Sequence, residues 1–133
     1  MMNANTIVVI DDDLDDLDIM SDVITTVDPS AHCLTFRDPT TAVNELLANA
    51  GSPPKYIFID YNMPIMRGDE VLTKLRADER FRETIIIMIS TSMQVLASSK
   101  LYEAGANYAV EKPNRLSNYY TLLKSIFRNH RED

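Results

Sequence analysis

The sequence has 133 residues, of which 45% are hydrophobic and 25% are charged, and its formal net charge is −7. This length predicts a single domain, residues 1–133, that is large enough to bury a core, and we expect no output domain. The excess of acidic residues argues against a binding surface for nucleic acid or for an anionic membrane.

The chain carries one cysteine, Cys33, which cannot form a disulfide within the chain and so favours a reducing compartment. No apolar stretch reaches the roughly 18 residues that a transmembrane helix needs. The first six residues lack the basic start and the apolar core of a signal peptide. These features together predict a cytoplasmic protein without a transmembrane helix.

Five short apolar runs predict five β-strands. They occupy residues 7–10, 33–36, 56–59, 85–89 and 108–110. The first, third and fourth runs are almost continuously apolar, which is typical of parallel strands that are buried on both faces.

Five stripes of apolar residues at helical spacing predict five helices. The stripes lie within residues 14–24, 42–50, 71–75, 95–101 and 116–127. Strands that alternate with helices indicate repeated βα units with right-handed crossovers. The expected fold class is therefore α/β, with a mostly parallel sheet.

Polar side chains follow the predicted strands at the point where each strand ends. Asp11 and Asp12 follow the first run, Asp60 follows the third, Ser90 follows the fourth and Lys112 follows the fifth. In a doubly wound sheet, ligands bind outside the carboxyl ends of the strands. We therefore expect these five side chains to lie together at one edge of the sheet.

This cluster has a definite chemistry. Carboxylates that lie this close repel one another and need a positive partner, either a divalent cation or a lysine. Asp11 and Asp12, with the backbone carbonyl of Asn62, offer the oxygen ligands that Mg²⁺ prefers. The carboxylate of Asp60 can act as a nucleophile on phosphorus. Lys112 would then place a positive charge on a phosphoryl oxygen.

Simpler interpretations exist for single residues. Aspartates favour helix N-termini through capping and the helix dipole, and this is our interpretation of the remaining acids of the run. These acids are Asp13, Asp15, Asp16 and Asp18. Lys112 and Pro113 alone would indicate a helix start, and Asp60 alone a turn. Their occurrence together favours a common site.

Five segments of the sequence carry a resemblance to a known family. They are residues 8–13 (VVIDDD), 59–64 (IDYNMP), 65–68 (IMRG), 88–91 (MIST) and 112–113 (KP). In this order the segments resemble the receiver domains of two-component response regulators, in particular the stand-alone receivers of the chemotaxis kind. The resemblance covers essentially the whole chain. It implies a flavodoxin-like fold with the strand order 2-1-3-4-5.

The resemblance also implies a role for each residue of the cluster. Asp60 would be the phosphoacceptor. The ligands of Mg²⁺, or of Mn²⁺ in its place, would be Asp11, Asp12, Asp60 and the backbone carbonyl of Asn62. The residues that sense the phosphoryl group would be Ser90 and Lys112, supported by Thr91 and Pro113.

A receiver domain of this kind would be a signalling domain and not an enzyme that acts on a separate substrate. Its phosphoryl donor would be a sensor histidine kinase or a phosphotransfer protein. Its downstream target would be another protein, which the sequence does not name. We expect no nucleic acid and no membrane as partners, and a monomer or a weak dimer.

Other functions on a similar fold fit the sequence less well. An Asp-based phosphatase or phosphotransferase would need a general acid two residues after Asp60, where this chain has Asn62. A cofactor-binding flavodoxin would meet repulsion between phosphate and the acids that follow the first strand. A degenerate receiver that binds partners without phosphate would not need all of the acidic, hydroxyl and lysine positions, which are present here.

One position departs from the family pattern. Many receivers have an aromatic residue three positions before the lysine of the Lys-Pro pair, and this chain has Ala109 there. The neighbouring Tyr108 is expected on the opposite face of the strand because side chains alternate. An inward-swinging aromatic at the usual position is therefore not expected in this protein.

Overall fold

The computed structural model describes residues 2–130, which contain a five-stranded parallel sheet with the order β2-β1-β3-β4-β5. The elements are β1 (Thr6–Ile10), α1 (Leu14–Val27), β2 (His32–Phe36), α2 (Pro39–Ala48), β3 (Tyr56–Asp60), α3 (Gly68–Arg76), β4 (Ile85–Ser90), α4 (Met93–Ala97), α5 (Lys100–Glu103), β5 (Tyr108–Glu111) and α6 (Leu116–Asn129). Both the predicted fold class and the strand order are confirmed. Within these residues, no helix is long and apolar enough to cross a bilayer.

The sheet separates two apolar layers because successive side chains of each strand face opposite sides. Val8, Ile57 and Met88 belong to the layer that packs against α2, α3 and α5. Val9 and Phe58 belong to the layer that packs against α1 and α6. β1 and β3 are buried throughout, whereas the edge strands β2 and β5 are partly exposed. The continuous apolar runs of the sequence are thus the central strands.

Six α-helices occur in the described part of the chain, one more than predicted, because the fourth predicted helix is divided. α4 ends at Ala97 and α5 begins at Lys100. Between them Ser98 is extended, and its hydroxyl accepts a hydrogen bond from the backbone N–H of Lys100 at 3.2 Å. Serine hydroxyls that bond to the nearby backbone compete with helix formation. The two serines at 98–99 therefore interrupt the apolar stripe.

The chain turns sharply between β3 and α3. A Cβ atom on Gly68 would lie 2.6 Å from the carbonyl oxygen of Asp60 and 2.8 Å from the Cα of Tyr61. No residue with a side chain fits this approach without a shift of the backbone. In the same loop Ile65 has a φ of 71°, which is a strained value for a β-branched residue. Gly68 thus allows α3 to begin directly beside the end of β3.

Candidate functional site

Three carboxylates meet at the carboxyl edge of the sheet. Asp11 directly follows β1, and Asp60 ends the adjacent strand β3. One carboxylate oxygen each of Asp11, Asp12 and Asp60 lie within 4.8 Å of one another. Asp11 is 6% exposed and Asp60 is 7% exposed, whereas Asp12 is half-buried. The parallel arrangement of β1 and β3 brings these acids together, as the sequence predicts.

The backbone orients the two buried carboxylates. Oδ1 of Asp11 accepts a hydrogen bond from the N–H of Asp13 at 2.9 Å. Oδ1 of Asp60 accepts one from the N–H of Asn62 at 3.3 Å. The turn that follows each strand therefore binds one oxygen of each acid. The other oxygen, Oδ2, is in both cases the one that faces a lysine.

Lys112 places a positively charged side chain beside these carboxylates. Its Nζ lies 3.2 Å from Oδ2 of Asp11 and 3.9 Å from Oδ2 of Asp60. Its backbone N–H donates to the carbonyl of Ser90 at 2.9 Å, which fixes the start of the side chain beside the end of β4. The side chain is 19% exposed. The predicted strand-end lysine thus partly neutralises the acids.

The acid nearest to Lys112 is Asp16, which the sequence predicts only as part of a helix start. Oδ2 of Asp16, in the first turn of α1, lies 2.5 Å from Nζ of Lys112. Asp16 directly precedes the buried Leu17 and lies four residues before the buried Met20, so it belongs to the inward face of α1. This spacing was the signal in the sequence that could have placed Asp16 at the site.

Ser90 is fully buried at the end of β4. Its hydroxyl donates to Oδ1 of Asn62 at 3.4 Å and accepts from the N–H of Ser92 at 3.0 Å. Ser92 in turn caps α4 by accepting from the N–H of Val95. The hydroxyl of Ser90 therefore links the loop after β3 to the loop after β4. Of the remaining predicted residues, Thr91 is exposed and Pro113 is half-buried.

Burial and like charge together shift the acid equilibria. Burial, followed by the charge of Asp11, raises the pKa of Asp60 to about 7, although Lys112 opposes the shift. Burial also raises the pKa of Asp11. Burial would lower the pKa of Lys112, but its hydrogen bond to Asp16 and the charges of Asp11 and Asp60 outweigh burial and raise it. Lys112 therefore stays protonated, whereas the ionisation of Asp60 requires additional free energy.

The oxygen donors of the site suit a hard divalent cation. Asp11, Asp12 and Asp60 supply carboxylate oxygens at one edge, and such ligands are preferred by Mg²⁺ and also suit Mn²⁺. Burial and, after it, repulsion from Asp11 raise the pKa of Asp60, and a divalent cation would relieve this repulsion. The residues present therefore fit a metal site of this type.

The strand β5 carries the position that departs from the family pattern. Ala109 belongs to the α2–α3–α5 layer, and Tyr108 belongs to the α1–α6 layer, as alternation predicts. The hydroxyl of Tyr108 lies 2.8 Å from Nε2 of His130. Tyr102 of α5, which the sequence does not predict near this position, accepts a hydrogen bond at its hydroxyl from the N–H of Ala109 at 3.1 Å. An aromatic residue thus contacts this position from a neighbouring helix.

A family model and individual known proteins that resemble this chain indicate the same family. The family model described as response regulator receiver domain matches residues 7–124. The chain is 38% identical over 65 residues to the chemotaxis protein CheY1 of Helicobacter pylori, which covers 49% of this chain and 52% of that protein. It is 26% identical over 117 residues to the two-component response regulator ARR6 of Arabidopsis thaliana. This alignment covers 84% of this chain and 60% of that protein. The chain thus spans about half the length of the curated relatives that it matches first.

Solved structures agree with the fold. The phosphorylated cyanobacterial phytochrome response regulator RcpA superposes with a TM-score of 0.82 at 25% identity, over 94% of this chain and 92% of that chain. The Mn²⁺-bound form of the response regulator Rcp1 superposes with a TM-score of 0.78 at 20% identity, over 92% and 91%. The second similarity is a similarity of fold alone.

The raised pKa of Asp60 predicts a pH-dependent effect of removing its charge. Without metal, the contribution of Asp60 to stability should fall as pH rises from about 4 to about 7, because folded Asp60 resists an ionisation that the unfolded chain undergoes near 4. Asp60→Asn should escape this loss. We expect the variant to exceed wild type by about 1–2 kcal/mol at pH 8 and to match it near pH 4.

Urea denaturation in the presence of EDTA measures this difference at each pH. The exposed Asp22, whose side chain lies outside the cluster, provides the control variant Asp22→Asn, which should follow wild type at every pH. A stability difference between Asp60→Asn and wild type that does not change with pH would contradict the proposed origin of the effect.

Proposed function

The chain belongs to the response regulator receiver domains, and on this premise we propose that it accepts a phosphoryl group on Asp60 and signals by the resulting change of conformation. The observation that carries the proposal is the position of Asp60, a buried carboxylate at the end of β3 with a second acid and a lysine beside it. Oδ2 of Asp60 is free of backbone hydrogen bonds among the described residues and lies on the side of Lys112.

The proposed reaction is a phosphoryl transfer from a phosphohistidine on a sensor kinase or a phosphotransfer protein. A carboxylate oxygen of Asp60 attacks phosphorus, the bond from phosphorus to the imidazole nitrogen breaks, and its electron pair remains on that nitrogen. Such transfers depend mostly on position and on stabilisation of the equatorial oxygens. Lys112 is close enough to supply a positive charge, and its raised pKa keeps that charge present.

Mg²⁺, or Mn²⁺ in its place, is the proposed cofactor. Its ligands would be Asp11, Asp12, Asp60 and the backbone carbonyl of Asn62. When bound, the cation supplies positive charge that neutralises the acids and the transferred group. The carboxylates themselves position the cation, and Asp60 must be ionised to attack. The cation therefore favours the reactive form of Asp60 near neutral pH.

We propose that the signal leaves the site through the loop after β4. Ser90 is fully buried and links this loop to Asn62, next to the phosphoacceptor. A phosphoryl group on Asp60 would offer the hydroxyl of Ser90 a stronger, charged acceptor than the amide oxygen of Asn62. Movement of Ser90 would shift Ser92, which caps α4. The proposed output is thus a new position of α4, read by a downstream protein.

An Asp-based phosphatase is the second candidate. Its leaving group needs a general acid close to the nucleophile, and the side chain two residues after Asp60 is the amide of Asn62, which has no acidic proton to donate. The acids Asp11 and Asp12 face the cation site instead. A receiver that signals through its own phosphorylation therefore explains the residues better.

Phosphorylation of Asp60 is the direct test. Incubation with acetyl phosphate and Mg²⁺, followed by intact-mass measurement, should show one added phosphoryl group on wild type and none on Asp60→Asn. Omission of Mg²⁺ should reduce the modified fraction by at least about tenfold. An added phosphoryl group on Asp60→Asn would refute the assignment of the phosphoacceptor.

Metal binding should stabilise the fold by linkage. Titration of wild type with Mg²⁺ should raise Tm by a few degrees at concentrations about tenfold above Kd, since RT ln(1 + [Mg²⁺]/Kd) is then about 1.4 kcal/mol. Asp12→Ala should lose most of this gain, and its Tm without metal should equal or exceed that of wild type because one repelling charge is gone. Asp22→Asn controls for net charge. A full Mg²⁺ response of Asp12→Ala would exclude it as a ligand.

The proposed route of the signal separates Ser90 from Tyr108. Amide-exchange changes in residues 91–104 on addition of beryllofluoride and Mg²⁺ should shrink in Ser90→Ala, because the hydroxyl that joins the two loops is absent. They should persist in Tyr108→Leu, since Tyr108 packs on the other face of the sheet. The reverse result would assign the switch to the aromatic ring.

A further inference from the structure

Three acids share the ammonium group of Lys112, and they do not share it equally. Nζ lies 2.5 Å from Asp16, 3.2 Å from Asp11 and 3.9 Å from Asp60. Asp11 and Asp60 belong to the group of carboxylates that fits a cation, whereas Asp16 lies in the first turn of α1 and is outside that group. The shortest contact of the lysine is therefore with an acid outside the candidate metal cluster.

The position of Asp16 is fixed by local structure. The side chain of Asp13 caps α1 by accepting hydrogen bonds from the N–H groups of Asp15 and Asp16 at 2.9 Å and 3.2 Å. Leu17 and Met20 anchor the same face of the helix in the core. Asp16 is 22% exposed at its side chain, so its pair with Lys112 is partly shielded from water. A shielded pair is screened less by solvent and salt than a surface pair.

The contact between Asp16 and Lys112 affects both groups that the site is proposed to bind, the divalent cation and the phosphoryl group. A lysine and a divalent cation compete to neutralise the same carboxylates, because each relieves the repulsion that the other would relieve. Whatever draws the ammonium toward α1 therefore leaves Asp11 and Asp60 more open to the cation. The same pull holds the ammonium back from a phosphoryl group on Asp60.

We propose that Asp16 is a positioning residue that draws Lys112 away from the metal-binding carboxylates, and so favours the cation and opposes the phosphoryl group. This proposal rests on the proposed function of Asp60 and Lys112. Asp16 touches neither the cation nor the phosphoryl group, and acts through the position of one ammonium group. It sets how readily the unmodified site binds metal and how tightly the modified site is held.

The proposal predicts two effects of opposite sign for Asp16→Asn. The Kd for Mg²⁺ in the unmodified protein should rise about three- to tenfold, because the released ammonium moves onto Asp11 and Asp60. The Kd for beryllofluoride at saturating Mg²⁺ should fall several-fold, because the ammonium is free to contact the bound mimic. NMR titration measures both constants. General damage to the site would weaken both ligands together.

Asp15→Asn is the matched control. Asp15 is exposed, lies in the same first turn and makes the same hydrogen bond to the cap, but its side chain has no contact with Lys112 among the described residues. It removes the same charge from the same end of the helix and should change either Kd by less than about twofold. Asp16→Glu restores the charge with a longer reach and should return both constants toward wild type.

The background variant Lys112→Ala tests whether Asp16 acts through the lysine. In this background, Asp16→Asn should lose most of its effect on either ligand. The double-mutant cycles should then give a non-zero coupling energy for each ligand, with opposite signs for Mg²⁺ and beryllofluoride. Equal effects in the two backgrounds would overturn the proposal. So would equal behaviour of Asp16→Asn and Asp15→Asn, or a loss of affinity for both ligands.

These results are distinct from a failure of the proposed function. If wild type binds beryllofluoride and gains a phosphoryl group but Asp16→Asn behaves as Asp15→Asn does, the role of Asp16 is wrong and the phosphoacceptor stands. If wild type gains no phosphoryl group at Asp60, the proposed function fails. The Mg²⁺ constants still decide whether Asp16 controls the lysine in that case.

Discussion

The repulsion between Asp11 and Asp60 is the constraint on which the rest of the site depends. Both carboxylates are buried at adjacent strand ends, and burial, followed by the charge of Asp11, raises the pKa of Asp60 to about 7. Among residues 2–130, Lys112 is the one basic residue within ion-pair distance of them, and it is shared with Asp16. The acids therefore exceed the local positive charge, which leaves the site ready to accept a cation.

The fold places these charges together at one edge of the sheet and leaves the apolar core intact. The carboxyl ends of parallel strands lie at the same edge of the sheet. This arrangement brings together Asp11, Asp60, Ser90 and the start of the Lys112 side chain. The two apolar layers lie behind that edge, and the central strands are buried on both faces. Gly68 lets α3 begin against the end of β3. The stability of the core thus supports an edge that is itself strained by like charge.

The two sides of the site differ in how firmly they are packed. α1 contributes four buried residues to the core, which hold Asp16 in place. α4 has none, and the short α5 contributes Leu101. Segments with few buried contacts open and shift at low free energy. We therefore expect α4, which is linked to Ser90, to move more easily than α1. Asp16 on α1 then keeps its position beside Lys112.

The sequence by itself determined the strands, the sheet class and most of the site, because each depends on local pattern. Continuous apolar runs marked the central strands, and polar residues at their ends predicted the cluster of Asp11, Asp12, Asp60, Ser90 and Lys112. Only the tertiary structure decided that Asp16 holds Lys112, that Ser90 bonds to Asn62 and that Tyr102 contacts Ala109. These contacts join separate elements, and the direction of a side chain across such a gap depends on how the elements pack, which spacing along one helix or strand does not encode.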